Sequence, residues 1–97
     1  MRMLLKISIP VEKGNEALKS GVLQQTIQST MEALKPEAAY FYPEDGKRTA
    51  LMVFDMEASW QQVPNLEPLY RNLDASIRVT PVMNAEDLQR GFKAAGV

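Results

Sequence analysis

The chain has 97 residues, 45% hydrophobic and 24% charged, with a formal net charge of -1 and neither histidine nor cysteine. The length fits one domain, residues 1–97. The hydrophobic content excludes a disordered chain, and the near-zero charge points away from nucleic acid and from an anionic membrane surface. Without imidazole or thiol, the usual acid/base group at neutral pH, zinc and iron–sulfur sites, and triad-type hydrolysis are not expected.

Residues 3–9 alternate. Met3, Leu5, Ile7 and Ile9 fall on one face and Leu4, Lys6 and Ser8 on the other, the period of a strand with one apolar face. Pro10 ends it. Lys6 interrupts the apolar stretch and no small-residue cleavage site follows, so the start reads as a strand rather than a signal peptide. No apolar run approaches the roughly 20 residues of a membrane-spanning helix. Asn15 is the expected N-cap of a helix that carries Leu18, Val22, Leu23, Ile27, Met31 and Leu34 at helical spacing and stops before Pro36. Gly21 falls inside it at a cost of about 1 kcal/mol against Ala; it either marks a close approach to the sheet or is neutral.

Residues 37–42 read as a second strand, Pro43 to Gly46 as a turn, and Lys47 to Met56 as a third strand. Ser59 with Gln62 predicts a capping box. Pro64 and Pro68 make the following helix irregular, with the stable part restarting at Asn65 and Leu66, Leu69, Tyr70 and Leu73 as its stripe. Glu67 and Arg71 are spaced to pair. Residues 75–82 form a fourth strand, with Ile77 and Val79 opposite Ser76, Arg78 and Thr80; Pro81 marks an edge strand or a strand end. Asn84 and Asp87 cap a final helix. Met83 and Leu88 are spaced as a hydrophobic staple, Glu86 and Arg90 as an ion pair, and Phe92 lies one turn beyond Leu88.

The order β-α-β-β-α-β plus a terminal helix predicts an α+β, ferredoxin-like antiparallel sheet with the helices on one face. On the third strand Ala50, Met52, Phe54 and Met56 are the more apolar set and are assigned to the helices. Leu51 and Val53 then lie beside Leu4 on the open face. Apolar area on an open sheet marks an interaction surface, and two such sheets facing each other in a homodimer would bury it.

In this order of elements, this half-apolar second face and the tail from Pro81 to Leu88, the chain resembles the dimeric α/β-barrel superfamily, and within it small bacterial proteins without an assigned activity. The resemblance covers nearly the whole chain. It implies two protomers packed sheet to sheet around a lumen. The superfamily includes cofactor-independent monooxygenases, lactone isomerases and haem-dependent enzymes. No motif of the other enzyme branches is present to carry over, and this chain has no histidine to serve as the axial ligand of the haem branches. The expectation is no cofactor, no metal, no nucleic acid and no membrane, with self-association and a small-molecule ligand as the partners. Absence of cysteine fits the cytoplasm.

The residues facing that lumen are the candidate site: Lys6 and Ser8 from the first strand, Asp55 from the third, and Ser76, Arg78 and Thr80 from the fourth. Tyr40 and Tyr42 join them if the hairpin loop has four residues, and turn away if it has three. One reading joins Lys6, Asp55 and Arg78 in a pocket for a small anionic or aromatic molecule, with Arg78 as the anion clamp and Lys6, its pKa lowered by burial, as a base. The other is a salt-bridge network inside a dimer interface, the commoner fate of buried ions. Trp60, after Ser59, either walls the pocket mouth or packs a helix end onto the core. The functions that follow are a small-molecule binder, a cofactor-independent enzyme acting on a small oxygenated metabolite, or a purely structural dimer.

Overall fold

The computed structural model describes residues 1–97. The elements in chain order are β1 (Arg2–Ile9), α1 (Val11–Ser20), α2 (Val22–Leu34), β2 (Ala38–Glu44), β3 (Lys47–Asp55), α3 (Gln62–Leu73), β4 (Ser76–Pro81) and α4 (Ala85–Ala95), with a 3-10 turn at Ser59–Gln61. The strands form one antiparallel sheet in the order β2-β3-β1-β4. No helix is long and apolar enough to cross a membrane.

Alternation places the core as the sequence predicts. Met3, Leu5, Ile7 and Ile9 of β1 and Ala50, Met52 and Phe54 of β3 are buried against Leu66, Leu69 and Leu73 of α3, Ala17 of α1 and Leu34 of α2. Full burial of a Leu or Ile side chain contributes about 1.5–3 kcal/mol, and Leu5, Ile7, Leu69 and Leu73 are all completely enclosed.

The first helical stretch differs from expectation. The helix begins directly after Pro10, whose fixed φ suits a helix start, so Asn15 caps nothing; its Oδ1 accepts a hydrogen bond from Arg48 Nη2 at 3.1 Å. Gly21 does not ride inside a continuous helix. It adopts φ +86° and ends α1, and α2 restarts at Val22. A Cβ at this position would meet no atom within 4 Å, so the glycine serves its left-handed backbone, not a close approach. Leu34 is buried as expected, Val22, Leu23, Ile27 and Met31 pack half-buried against the core, and Thr26 and Thr30 are buried beside them, while Leu18 is exposed. The small threonines let α2 approach α3. Thr30 Oγ1 donates to the Thr26 carbonyl at 2.8 Å, and Asn72 Nδ2 donates to Thr26 Oγ1 at 3.2 Å.

Around α3 the capping also differs. Gln61, not Ser59 with Gln62, provides the side-chain acceptor: its Oε1 takes the backbone N–H groups of Glu57 and Ala58, each at 3.1 Å. The helix runs unbroken from Gln62, so Pro64 occupies its first turn and Pro68 its interior, where the burial of Leu66, Leu69 and Leu73 offsets the missing donor. Tyr70 is exposed. Glu67 and Arg71 pair at 3.4 Å as spaced.

The final helix has the expected cap: Asn84 Oδ1 accepts from Asp87 N at 2.8 Å and Asn84 N donates to Asp87 Oδ2 at 3.2 Å. No residue of α4 is buried. Met83 and Leu88 form no buried staple, and Glu86 and Arg90 do not pair within salt-bridge distance. The helix projects from a molecule 54 Å long and 17 Å thick.

Candidate functional site

The hairpin between β2 and β3 decides the site. Asp45 (φ +52°) and Gly46 (φ +73°) are its only loop residues, the pair of left-handed conformations that a two-residue hairpin requires. The loop is two residues shorter than the four considered from sequence. An even change preserves the face of every residue. Tyr40 and Tyr42 therefore lie on the open face, opposite Leu51 and Thr49. Phe41 points to the helix side, where it stays 56% exposed because no helix covers β2 there.

Rows of residues cross the open face. Ala38, Val53, Leu4 and Thr80 form one; Tyr40, Leu51, Lys6 and Arg78 the next; Tyr42, Thr49, Ser8 and Ser76 the third. The shorter loop also lifts Glu44 out of the turn and makes it the last residue of β2, on this same face. Its carboxylate pairs with Lys6 Nζ, and its Oε1 lies 3.5 Å from the Tyr42 hydroxyl, the long limit of a hydrogen bond. Since β3 runs between β1 and β2, this ion pair spans it. Thr49, on that face between them, is left only 4% exposed.

Asp55 is not part of this cluster. It lies opposite Arg2, four residues along β1 from Lys6, roughly 13 Å away at strand rise. Its Oδ1 takes the Met1 ammonium at 2.8 Å. Near it Arg2 Nε meets Glu37 Oε1 at 2.5 Å and Arg2 Nη1 meets Asp87 Oδ2 at 3.4 Å. Glu44 takes the place expected for Asp55. The sequence signal that could have found it is the Asp45-Gly46 dipeptide, which favours a two-residue loop and so puts Glu44 in the strand. Trp60 is 68% exposed on the 3-10 turn after β3, at the end of the sheet away from Glu44, so it neither walls this pocket nor packs onto the core.

Lys6, Ser8, Glu44, Ser76 and Arg78 line a surface cavity of about 310 Å³. Lys6 and Arg78 stand directly opposite each other on β1 and β4. The Lys6 pKa is raised: the hydrogen bond to Glu44 favours the ammonium, outweighing partial burial and the repulsion of Arg78. This corrects the expectation of a lowered pKa, and Lys6 is held charged, not poised as a base. Glu44 is lowered below the ordinary carboxylate range, first by its hydrogen bond to Lys6. Arg78 makes no ion pair. No group of three or more Asp or Glu side chains converges as metal ligands would. The arrangement presents two cations, one of them already neutralised, beside hydroxyls and a tyrosine pair. Chemically it can hold an anion.

No protein-family model and no curated protein matches the sequence. Among solved structures the chain is similar to the de novo designed protein Ferredog-Diesel, with a TM-score of 0.50 and 9% identity over 84% of this chain and 85% of that one. It also overlaps formyltetrahydrofolate deformylase from Burkholderia mallei, with a TM-score of 0.47 and 15% identity over 84% of this chain but only 28% of that one. The first likeness concerns the fold alone. Together with the four-stranded antiparallel sheet and its helices, it fits an α+β ferredoxin-like fold.

Proposed function

We propose that this protein is a homodimer, assembled through its open sheet face, that binds a small organic anion with an apolar or aromatic body between Arg78, Lys6 and the tyrosines. The observation that carries the reading is the directly opposed pair of Lys6 and Arg78. Like charges facing across two strands are unfavourable. Glu44 neutralises Lys6 and leaves Arg78 without a carboxylate. A ligand carboxylate or enolate would complete the set, and the guanidinium fork suits it geometrically. Tyr40, Leu51, Leu4 and Val53 on the same face offer the apolar contact, and a second sheet laid over them would close the open cavity. The cytoplasmic setting expected from the cysteine-free sequence belongs to the same proposal. A cofactor-independent enzyme would need a proton acceptor other than Lys6, and no geometry here favours one.

Isothermal titration with a panel of small aromatic carboxylates and their neutral amides tests the reading. The carboxylates bind and the amides do not; Arg78→Ala weakens binding at least about tenfold, the scale of one charge-assisted hydrogen bond. Binding that survives unchanged in the double variant Lys6→Ala with Arg78→Ala contradicts the site.

A further inference from the structure

The cavity beside Arg78 has a carboxylate in its lining. Lys6 and Arg78 face each other across β1 and β4, and Ser8 and Ser76 face each other in the next row, toward the hairpin end of the sheet. Glu44, the last residue of β2, stands two strands and four residues from Lys6, about 16 Å between Cα atoms in a flat sheet. The right-handed twist of the hairpin brings the two side chains into contact above Thr49, which is buried beneath them.

This ion pair is not deep. The Lys6 side chain is 31% exposed and that of Glu44 40%. A pair so exposed adds little to stability. Its larger effect is on the charge of the cavity. Two cations and one carboxylate leave a single positive charge, and it rests on Arg78, which has no ion-pair partner. Asp45 and Lys47, the charged residues next to Glu44 at the hairpin tip, do not line the cavity. Neither does Asp55, which holds the Met1 ammonium at the far end of the sheet.

We infer that Glu44 sets the charge selectivity of the site, which admits organic anions with one negative charge and rejects those with two. The inference rests on the anion site proposed above and names its ligand class, the monocarboxylates. One carboxylate meets the Arg78 guanidinium and the Ser8 and Ser76 hydroxyls. A second carboxylate on the same ligand finds Lys6 already paired and the Glu44 oxygens beside it. Like charges brought together in this way repel, and a site that places one against the wrong ligand discriminates by repulsion as well as by attraction. Without Glu44, the facing pair of Lys6 and Arg78 would suit a dianion instead.

Titration calorimetry with matched probes tests this. Phthalate, isophthalate and terephthalate carry two carboxylates at three spacings, and the monoamide of each has nearly the same shape with one charge. In the parent chain the monoamides bind at least about tenfold more tightly than the diacids, the scale of one like-charge contact near a protein surface. Glu44→Gln keeps the shape of the side chain and removes its charge, and the preference disappears or reverses. Lys6→Met leaves Glu44 charged and unpaired, and the preference widens. A change of shape alone would not move the ratio in opposite directions. Both variants keep the parent's far-UV circular dichroism, because the pair lies at the surface and the Asp45–Gly46 loop closes the hairpin without it. A parent ratio near one, or a ratio that Glu44→Gln leaves unchanged, overturns the role of Glu44 and leaves the anion site standing. Parent protein that binds none of the six probes overturns both.

Discussion

Val53→Asp is the most informative single change. Val53 lies in the most apolar row of the open face, between Ala38 of β2 and Leu4 of β1. Leu51, the other apolar residue of β3 on this face, stands directly opposite Lys6, so a carboxylate there would gain a cation. At position 53 it gains none across either strand. In a two-fold dimer each substitution occurs twice. Lost apolar burial costs about 1 kcal/mol per copy and an unpaired carboxylate in a closed interface about 2 kcal/mol or more, together about 6 kcal/mol. That raises the dissociation constant by a factor of about 10⁴. The isolated protomer loses far less: Val53 is only half-buried there, and the weaker strand propensity of Asp costs about 1 kcal/mol. Sedimentation equilibrium should therefore find Val53→Asp as a folded monomer under conditions where the parent chain and Val53→Thr, which keeps the shape, are dimers. A Val53→Asp dimer with the parent's dissociation constant would refute sheet-to-sheet assembly.

Three further outcomes are expected. Leu69→Ala, at a fully enclosed position of α3, lowers the unfolding free energy by about 3–5 kcal/mol in urea titration, and a loss under about 1 kcal/mol would mean that α3 does not sit on the core. Gly21→Ala, at φ +86° in open space, costs about 1 kcal/mol through the backbone alone; a neutral or stabilising result would mean that α1 and α2 readily merge into one helix. The Lys6–Glu44 pair gives a pH signature. The folded-state pKa of Glu44 is lowered, so its contribution is present above the ordinary carboxylate range and is lost as pH falls through the folded value. That of Lys6 is raised, so its contribution is present below the ordinary lysine range and is lost as pH rises through the folded value. Melting temperatures of Glu44→Gln should accordingly fall less between pH 5 and pH 3 than those of the parent, and parallel curves would show that the pair is not formed in solution.

Much of the fold was legible because burial repeats with a fixed period. In β1 and β3 the alternation alone sorts Met3, Leu5, Ile7, Met52 and Phe54 from Leu4, Lys6, Leu51 and Val53, and the structure buries the first set. The helical stretch from residue 11 was harder to read. Apolar spacing continues across Gly21, so periodicity reads one helix, whereas the left-handed turn there is set by backbone sterics that periodicity does not register. The site was legible where it depended on parity. Lys6 opposite Arg78, and the facing of Tyr40 and Tyr42, depend only on whether shifts are odd or even. Asp55 and Glu44 needed absolute register. Both share the open face, but a two-residue loop and four steps along β1 decide which of them meets Lys6, and Glu44 does. The pKa of Lys6 followed that error, since its direction is set by the partner carboxylate and not by burial alone.

Two copies that enclose an anion beside Arg78 would have a defined mass in solution. Native mass spectrometry of gently purified protein addresses it most directly. The expected result is an ion of twice the 10.9 kDa chain carrying added mass, and loss of that mass, with the dimer retained, in Arg78→Ala. A species at the mass of a single chain, or added mass that persists in Arg78→Ala, would contradict it.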